Sequence, residues 1–189
     1  MNKEEFYNHA HFVITALIAF TLPVCIHLTP PLIILLFINW IIEGNFSEKI
    51  FRLRYNRLFC PVISLYIFYF IGMFWTENKS SGWCDLQVKL SLLAFPLIFC
   101  SSKCFQSKHL EKILSAFIFG CVTGVVICLS SAICDFLISG EEHFTYMNFS
   151  LFLHPSYFSM YLNLAVIIII LKWLKFELMS EAKKIIYFS

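Results

Sequence analysis

The sequence predicts an all-α, polytopic membrane protein of about six transmembrane helices with both termini in the cytoplasm. Three observations carry this. The chain is 59% hydrophobic and only 14% charged, whereas a soluble domain has roughly 25% charged and 45–50% apolar residues. Its apolar residues gather in about six blocks of near-bilayer length. The loops between the blocks alternate between rich and poor in Lys and Arg, the asymmetry that orients membrane helices. A chain of 189 residues could fold as one globular domain, but this one lacks the polar residues to cover its own surface. The lipid bilayer is the partner that surface fits, and residues 1–189 read as a single transmembrane helical domain.

Each block is measured against the roughly 20 residues that cross a 30 Å hydrocarbon core. The first covers about residues 11–28. It does not read as a cleaved leader, because Pro23 interrupts it and no small-x-small site follows. The second opens at Pro30-Pro31 and ends near Ile42. It is short for a span and must thin the bilayer or borrow flanking residues; a re-entrant hairpin is the alternative. The third covers about residues 58–75, the fourth about 86–99, the fifth about 113–138 and the sixth about 155–174.

The loops give the orientation. "EGNFSEKIFRLRYNRL" carries Lys49, Arg52, Arg54 and Arg57; "SSKCFQSKHLEK" carries Lys103, Lys108 and Lys112; the tail carries Lys172, Lys175, Lys183 and Lys184. "HLTPP" and "SGEEHFTYMNFSLFLH" have neither Lys nor Arg, and "TENKSSGWCDLQVK" has only Lys79 and Lys89. Six crossings put the basic loops on one side, and the short second block is then a true span. Glu43 and Asp135 read as solvated helix ends.

The net charge of +2 gives no reason to expect nucleic acid. None of the eight cysteines forms a C-x-x-C pair, so metal-site spacing is absent, and most sit in apolar runs as small hydrophobes. No P-loop, GxGxxG, GxSxG or HExxH occurs, and no cofactor is expected. The Asn-x-Ser sequons at Asn45, Asn78 and Asn148 matter only in a eukaryotic secretory pathway.

Three features rise above the apolar background. The fifth block contains "AFIFGCVTGVV", in which Ala116, Gly120 and Gly124 repeat every four residues. Such small-xxx-small faces let helix backbones approach closely, against a neighbouring helix of the chain or, more sharply, in a homodimer seam. Lys89 opens "LSLLAFPLIF" near the non-basic face; it snorkels to headgroups or contacts a phosphate, since intramembrane ionisable residues are functional candidates. The sixth block opens with His154-Pro155 and carries Tyr157 and Tyr161 one turn apart. Pro suits the first turn of a helix, and Tyr concentrates at the membrane interface for physical reasons alone. An interfacial anchor and the mouth of a lipid-linked substrate groove are both open.

Two stretches carry a resemblance. "GMFWTENKSSGWCDLQVKLSLLAFPLIF", residues 72–99, resembles the third-to-fourth span region of the bacterial O-antigen ligase and polymerase family. "FLHPSYFSMYLNLAV", residues 152–166, is similar to the opening of a later helix in members from Bacteroidetes-type bacteria. The first span with Pro23 and "PPLIILLFINWIIEGNF" also fit. The resemblance implies a metal-independent glycosyltransferase of the bacterial inner membrane. Its substrate would be an undecaprenyl-pyrophosphate-linked glycan, passed to lipid A-core or to a growing polysaccharide. Lys89 would then balance pyrophosphate charge, with His154, Tyr157 and Tyr161 lining the entrance. Family members have about twice as many spans, and their catalytic Arg and His lie in a large periplasmic loop that no position here matches. The expectation is therefore an N-terminal portion lacking its C-terminal half, with no catalytic residue assigned. The alternative is a non-enzymatic small membrane subunit, scaffold or transporter-like module.

Overall fold

The computed structural model describes residues 3–57, 59–102, 107–139 and 153–188. Among them there is no strand. The helices are α1 (Lys3–Thr21), α2 (Thr29–Glu43), α3 (Phe46–Tyr55), α4 (Phe59–Gly72), α5 (Lys79–Val88), α6 (Ser91–Ser101), α7 (Ser107–Ser139) and α8 (Pro155–Phe188), with a 3₁₀ turn at Ile26–Leu28. Among the described residues four helical segments are long and apolar enough to cross a membrane: Ile26–Glu43, Lys79–Ser101, His109–Ile138 and Pro155–Phe176; Phe59–Gly72 is apolar but shorter. Large apolar side chains point outward along them, with Phe68 69%, Ile138 84% and Leu171 60% exposed. Water would not tolerate so many, so the protein is an all-α polytopic membrane protein. The loop of residues 140–152 with Tyr146 and Asn148, residues 103–106 with Lys103 and Cys104, and the side chains of Lys108, Lys183 and Lys184 lie outside the described residues.

Local chemistry sets the breaks. Helix α1 stops at Thr21 ahead of Pro23, because proline disfavours helical geometry in the residue before it. The chain turns there through Leu22 and Cys25 amides donating to the Ile18 and Thr21 carbonyls. The short second block gains length from the 3₁₀ turn, which brings the apolar helical segment to 18 residues, and α2 has no break on which a hairpin could fold. Gly44 and Asn45, at φ 72° and 53°, make the turn into α3; both lie in the left-handed region that Gly and Asn tolerate best.

Two polar loops are helical. Most of "TENKSSGWCDLQVK" forms α5, started by Asn78, whose side chain accepts from the Ser81 amide at 3.2 Å. Asn is among the best N-caps, and that signal outweighs the polarity of the stretch. Likewise "FSEKIFRLRY" folds as α3.

The chain divides into two compact units, residues 1–12 with 34–109 and residues 13–33 with 110–189. In the first, α3 and α4 pack on α6. The start of α1 meets the end of α2, where Asn39 donates to the Tyr7 carbonyl at 3.3 Å. The end of α2 meets the end of α6, where the Trp40 indole donates to Ser101 Oγ at 2.8 Å. The start of α1, the end of α2 and the end of α6 therefore share one end of this unit.

In the second unit α7 and α8 run antiparallel. Gly124 lies beside Phe158, Cys121 beside Tyr161, and Ser115 beside Lys172. Phe117, Cys121, Ala165 and Ile168 form the buried seam. The small-residue face is used as a close approach. A Cβ on Gly120 would run into the Phe20 carbonyl oxygen of α1, and one on Gly124 would stand 3.2 Å from the Phe158 ring.

Candidate functional site

Lys89 sits at the joint between α5 and α6. Its amide donates to the Asp85 carbonyl at 3.1 Å, closing α5, and its carbonyl accepts from the Leu92 amide at 2.9 Å. The side chain reaches back across α4. Its Nζ lies 4.2 Å from the centre of the Tyr69 ring and 3.4 Å from Asp85 Oδ2.

These groups rim an open cleft of about 420 Å³ between α4 and α5, whose walls include Leu65, Phe68, Gly72 and Leu86. The Met73 thioether packs closely on Gly82 in that wall, where a Cβ would lie 2.5 Å from its sulfur and the flexible methionine would have to shift. The cleft walls are mostly apolar, and its polar groups are Thr76 and the Lys89–Asp85 pair. The Lys89–Asp85 pair is one turn apart on a helix, with side chains 31% and 76% exposed. Such pairs contribute only about 0.3–0.5 kcal/mol, so the ammonium is weakly held and is free to exchange Asp85 for a stronger anion.

The His154 group belongs to the second unit. Pro155 takes the first position of α8. His154 acts as the cap: its carbonyl accepts from the Tyr157 and Phe158 amides at 2.9 and 3.2 Å, and its Nδ1 accepts from the Ser156 amide at 3.4 Å. His154 and Tyr157 are in edge-to-face contact, ring centres 6.3 Å apart. Tyr161 goes elsewhere. It packs edge-on against Phe117 at 6.0 Å, and its carbonyl accepts a weak bond from the Cys121 thiol at 3.7 Å. Phe158, Ala165 and Ile168 form the buried row of α8; Tyr161 continues it, whereas Tyr157 lies one position off it and is 59% exposed. His154 and Tyr157 are thus brought together, Tyr161 serves the seam, and Lys89 belongs to the first unit.

Sequence reasoning missed a second polar cluster in that unit. Lys49 is 2% exposed. Its Nζ lies 2.8 Å from Glu43, donates to the Trp40 carbonyl at 2.5 Å and stands 4.6 Å over the Trp40 ring. Arg52 donates to the Ser101 carbonyl at 2.9 Å. His11, also buried, bridges Asn39 and Ser102, both at 3.3 Å. Glu43, expected as a solvated helix end, is instead the half-buried counter-ion of Lys49, its side chain 11% exposed. The available signal was the spacing of Lys49, Arg52 and Asn56 along one face of a helix, obscured once the segment was read as a loop.

Among the described residues no three His, Cys, Asp or Glu side chains are grouped to hold a metal ion. No family model, curated protein or solved structure matches this chain.

Proposed function

We propose that this protein binds an undecaprenyl-pyrophosphate-linked glycan, as the membrane part of an O-antigen ligase- or polymerase-like glycosyltransferase of the bacterial inner membrane. One observation carries the reading: a cation, Lys89, loosely paired with exposed Asp85 in the wall of a mostly apolar cleft. An isoprenoid pyrophosphate has the complementary form, a greasy chain ending in concentrated negative charge. The apolar walls suit the first isoprene units, and Lys89 with the Tyr69 face beneath it suits the phosphate. Because Asp85 is mostly exposed, its release costs little. The sequence resemblance independently leads to the same substrate class. No residue of this chain is assigned to bond making; its role in the reading is to hold and orient the carrier.

The test is binding of undecaprenyl pyrophosphate to the full chain in nanodiscs, followed by native mass spectrometry. A hydrogen bond to a charged group contributes about 1.5–3 kcal/mol, so Lys89→Gln should weaken binding at least tenfold. Undecaprenol, with no phosphate, should bind wild type and variant alike. Equal carrier binding by wild type and Lys89→Gln would defeat the reading and leave the non-enzymatic subunit in its place. Exposed Cys84 on α5 supplies the side assignment. An impermeant maleimide should label it from outside intact cells, and labelling only after lysis would put the cleft on the wrong face.

A further inference from the structure

We propose that α3 is an interfacial helix turned inside out, whose outward face binds the anionic headgroups of phospholipids. A helix at a water-facing surface turns its apolar stripe inward and its charges outward. Helix α3 departs from this pattern. The residues turned inward are Lys49, Arg52, Leu53 and, just past its end, Asn56, at helical spacing, and the two cations among them are held by Glu43, the Trp40 and Ser101 carbonyls and, for Arg52, the exposed Glu48 at 2.6 Å. The residues it turns outward include Ile50, Phe51 and Tyr55, 64%, 63% and 71% exposed, with the Phe51 and Tyr55 rings 4.6 Å apart; the exposed carboxylate of the helix, Glu48, is paired with Arg52. Such an arrangement is favourable only where the outside is itself apolar.

The chain fixes where that outside is. Helix α3 is tied by the two-residue turn Gly44-Asn45 to the end of α2, which completes an apolar span at Glu43, and α4, another apolar helix, begins at Phe59. It therefore lies at the depth where apolar spans end and headgroups begin. Arg54, exposed, stands on the outward arc among Ile50, Phe51 and Tyr55, and exposed Arg57 follows the helix. A second copy of the chain is a poor occupant: across a two-fold axis Arg54 would meet Arg54. Anionic phospholipid is complementary at both levels. Its acyl region takes the apolar side chains, as at other amphipathic surface helices, and its phosphates take the guanidinium groups, which reach upward on flexible stems.

The experiment places a photoreactive phenylalanine analogue at Phe51 in the full chain, in vesicles of phosphatidylcholine with and without phosphatidylglycerol. Irradiation should yield phospholipid adducts. In parallel, native mass spectrometry from the mixed vesicles should show phosphatidylglycerol retained on the wild type. Retention should fall about fivefold for each of Arg54→Gln and Arg57→Gln, the scale of one basic residue at an anionic surface. Both arginines point away from the packed side, and unchanged gel-filtration behaviour would confirm that the variants fold. Adducts to protein, or none at all, would overturn the proposal. So would lipid adducts accompanied by retention that ignores both substitutions.

Discussion

The two units are held by opposite means. In the second, helices meet through absence: Gly120 and Gly124 carry no side chain, so α7 comes against the Phe20 carbonyl and the Phe158 ring. In the first, they meet through charge: Lys49, Glu43, Arg52 and two backbone carbonyls tie α2, α3 and α6 together. Inside lipid, hydrophobicity does not favour one helix contact over another, so close backbone approach and dispersion decide. Near the ends of the spans free carbonyls are exposed at helix C-termini, and cations find partners there. The Trp40 and Ser101 carbonyls are such groups, one near the end of α2 and the other at the end of α6. The seam should therefore tolerate polar loss and resist added volume, and the polar tie should do the reverse.

The largest expected effect breaks the tie. Lys49→Met leaves Glu43 without its counter-ion in a site that admits little water. Removing one partner of a buried pair costs about 3–5 kcal/mol, which should appear as a lower midpoint of thermal unfolding in detergent. Removing both charges, as Lys49→Met with Glu43→Leu, should recover most of that loss, because the uncompensated charge is gone. Full stability of the single variant would mean that Lys49 and Glu43 are solvated and that the tie is not what holds α3.

Next comes the seam. Gly120→Leu should lower stability by about 1–3 kcal/mol through overpacking, since its Cβ already meets backbone. Gly120→Ala should cost more than Gly124→Ala. A Cβ on Gly120 would overlap the Phe20 carbonyl oxygen outright, whereas one on Gly124 would stand 3.2 Å from the Phe158 ring edge and 3.3 Å from the Pro23 carbonyl oxygen, tight but within reach of a small adjustment. Equal behaviour of the two alanine variants would mean that the α1 crossing is looser than the Gly120 contact indicates.

The same contrast explains what could be read in advance. Composition and charge alternation were enough for the helical membrane class, since both follow from the bilayer as solvent. The Ala116-Gly120-Gly124 spacing announced a close approach because a missing side chain has few other uses at that period. The place of Pro155 at the first turn of a helix was equally local. The Lys49–Glu43 tie was not legible. Its residues are six apart on two different helices, joined through the left-handed turn at Gly44 and Asn45, and a lysine in a basic loop looks like an orientation signal and nothing more. The Lys89 cleft was half legible. The cation was singled out, but its partners Tyr69 and Asp85 depend on α5 being a helix, which the polar composition of residues 76–89 concealed.

The smallest expected effects separate the two tyrosines of α8. Tyr157 is exposed and touches the His154 ring; exposed positions of this kind usually change stability by less than about 0.5 kcal/mol, so Tyr157→Ala should leave the unfolding midpoint in place. Tyr161 shares the seam with Phe117 and Cys121. Tyr161→Phe keeps the ring and should also be nearly silent, whereas Tyr161→Ala opens a gap beside Phe117 and should be plainly destabilising. The residues left an interfacial anchor and a groove rim both open, and the resemblance implied one role for both tyrosines at the entrance; their surroundings differ, Tyr157 exposed beside His154 and Tyr161 in the seam. If His154 and Tyr157 form a rim for a glycan carrier, Tyr157→Ala should weaken carrier binding while stability holds, and Tyr161→Phe should change neither. A binding loss confined to Tyr161→Phe would reverse the division and make the seam tyrosine, through its hydroxyl, the one that meets substrate.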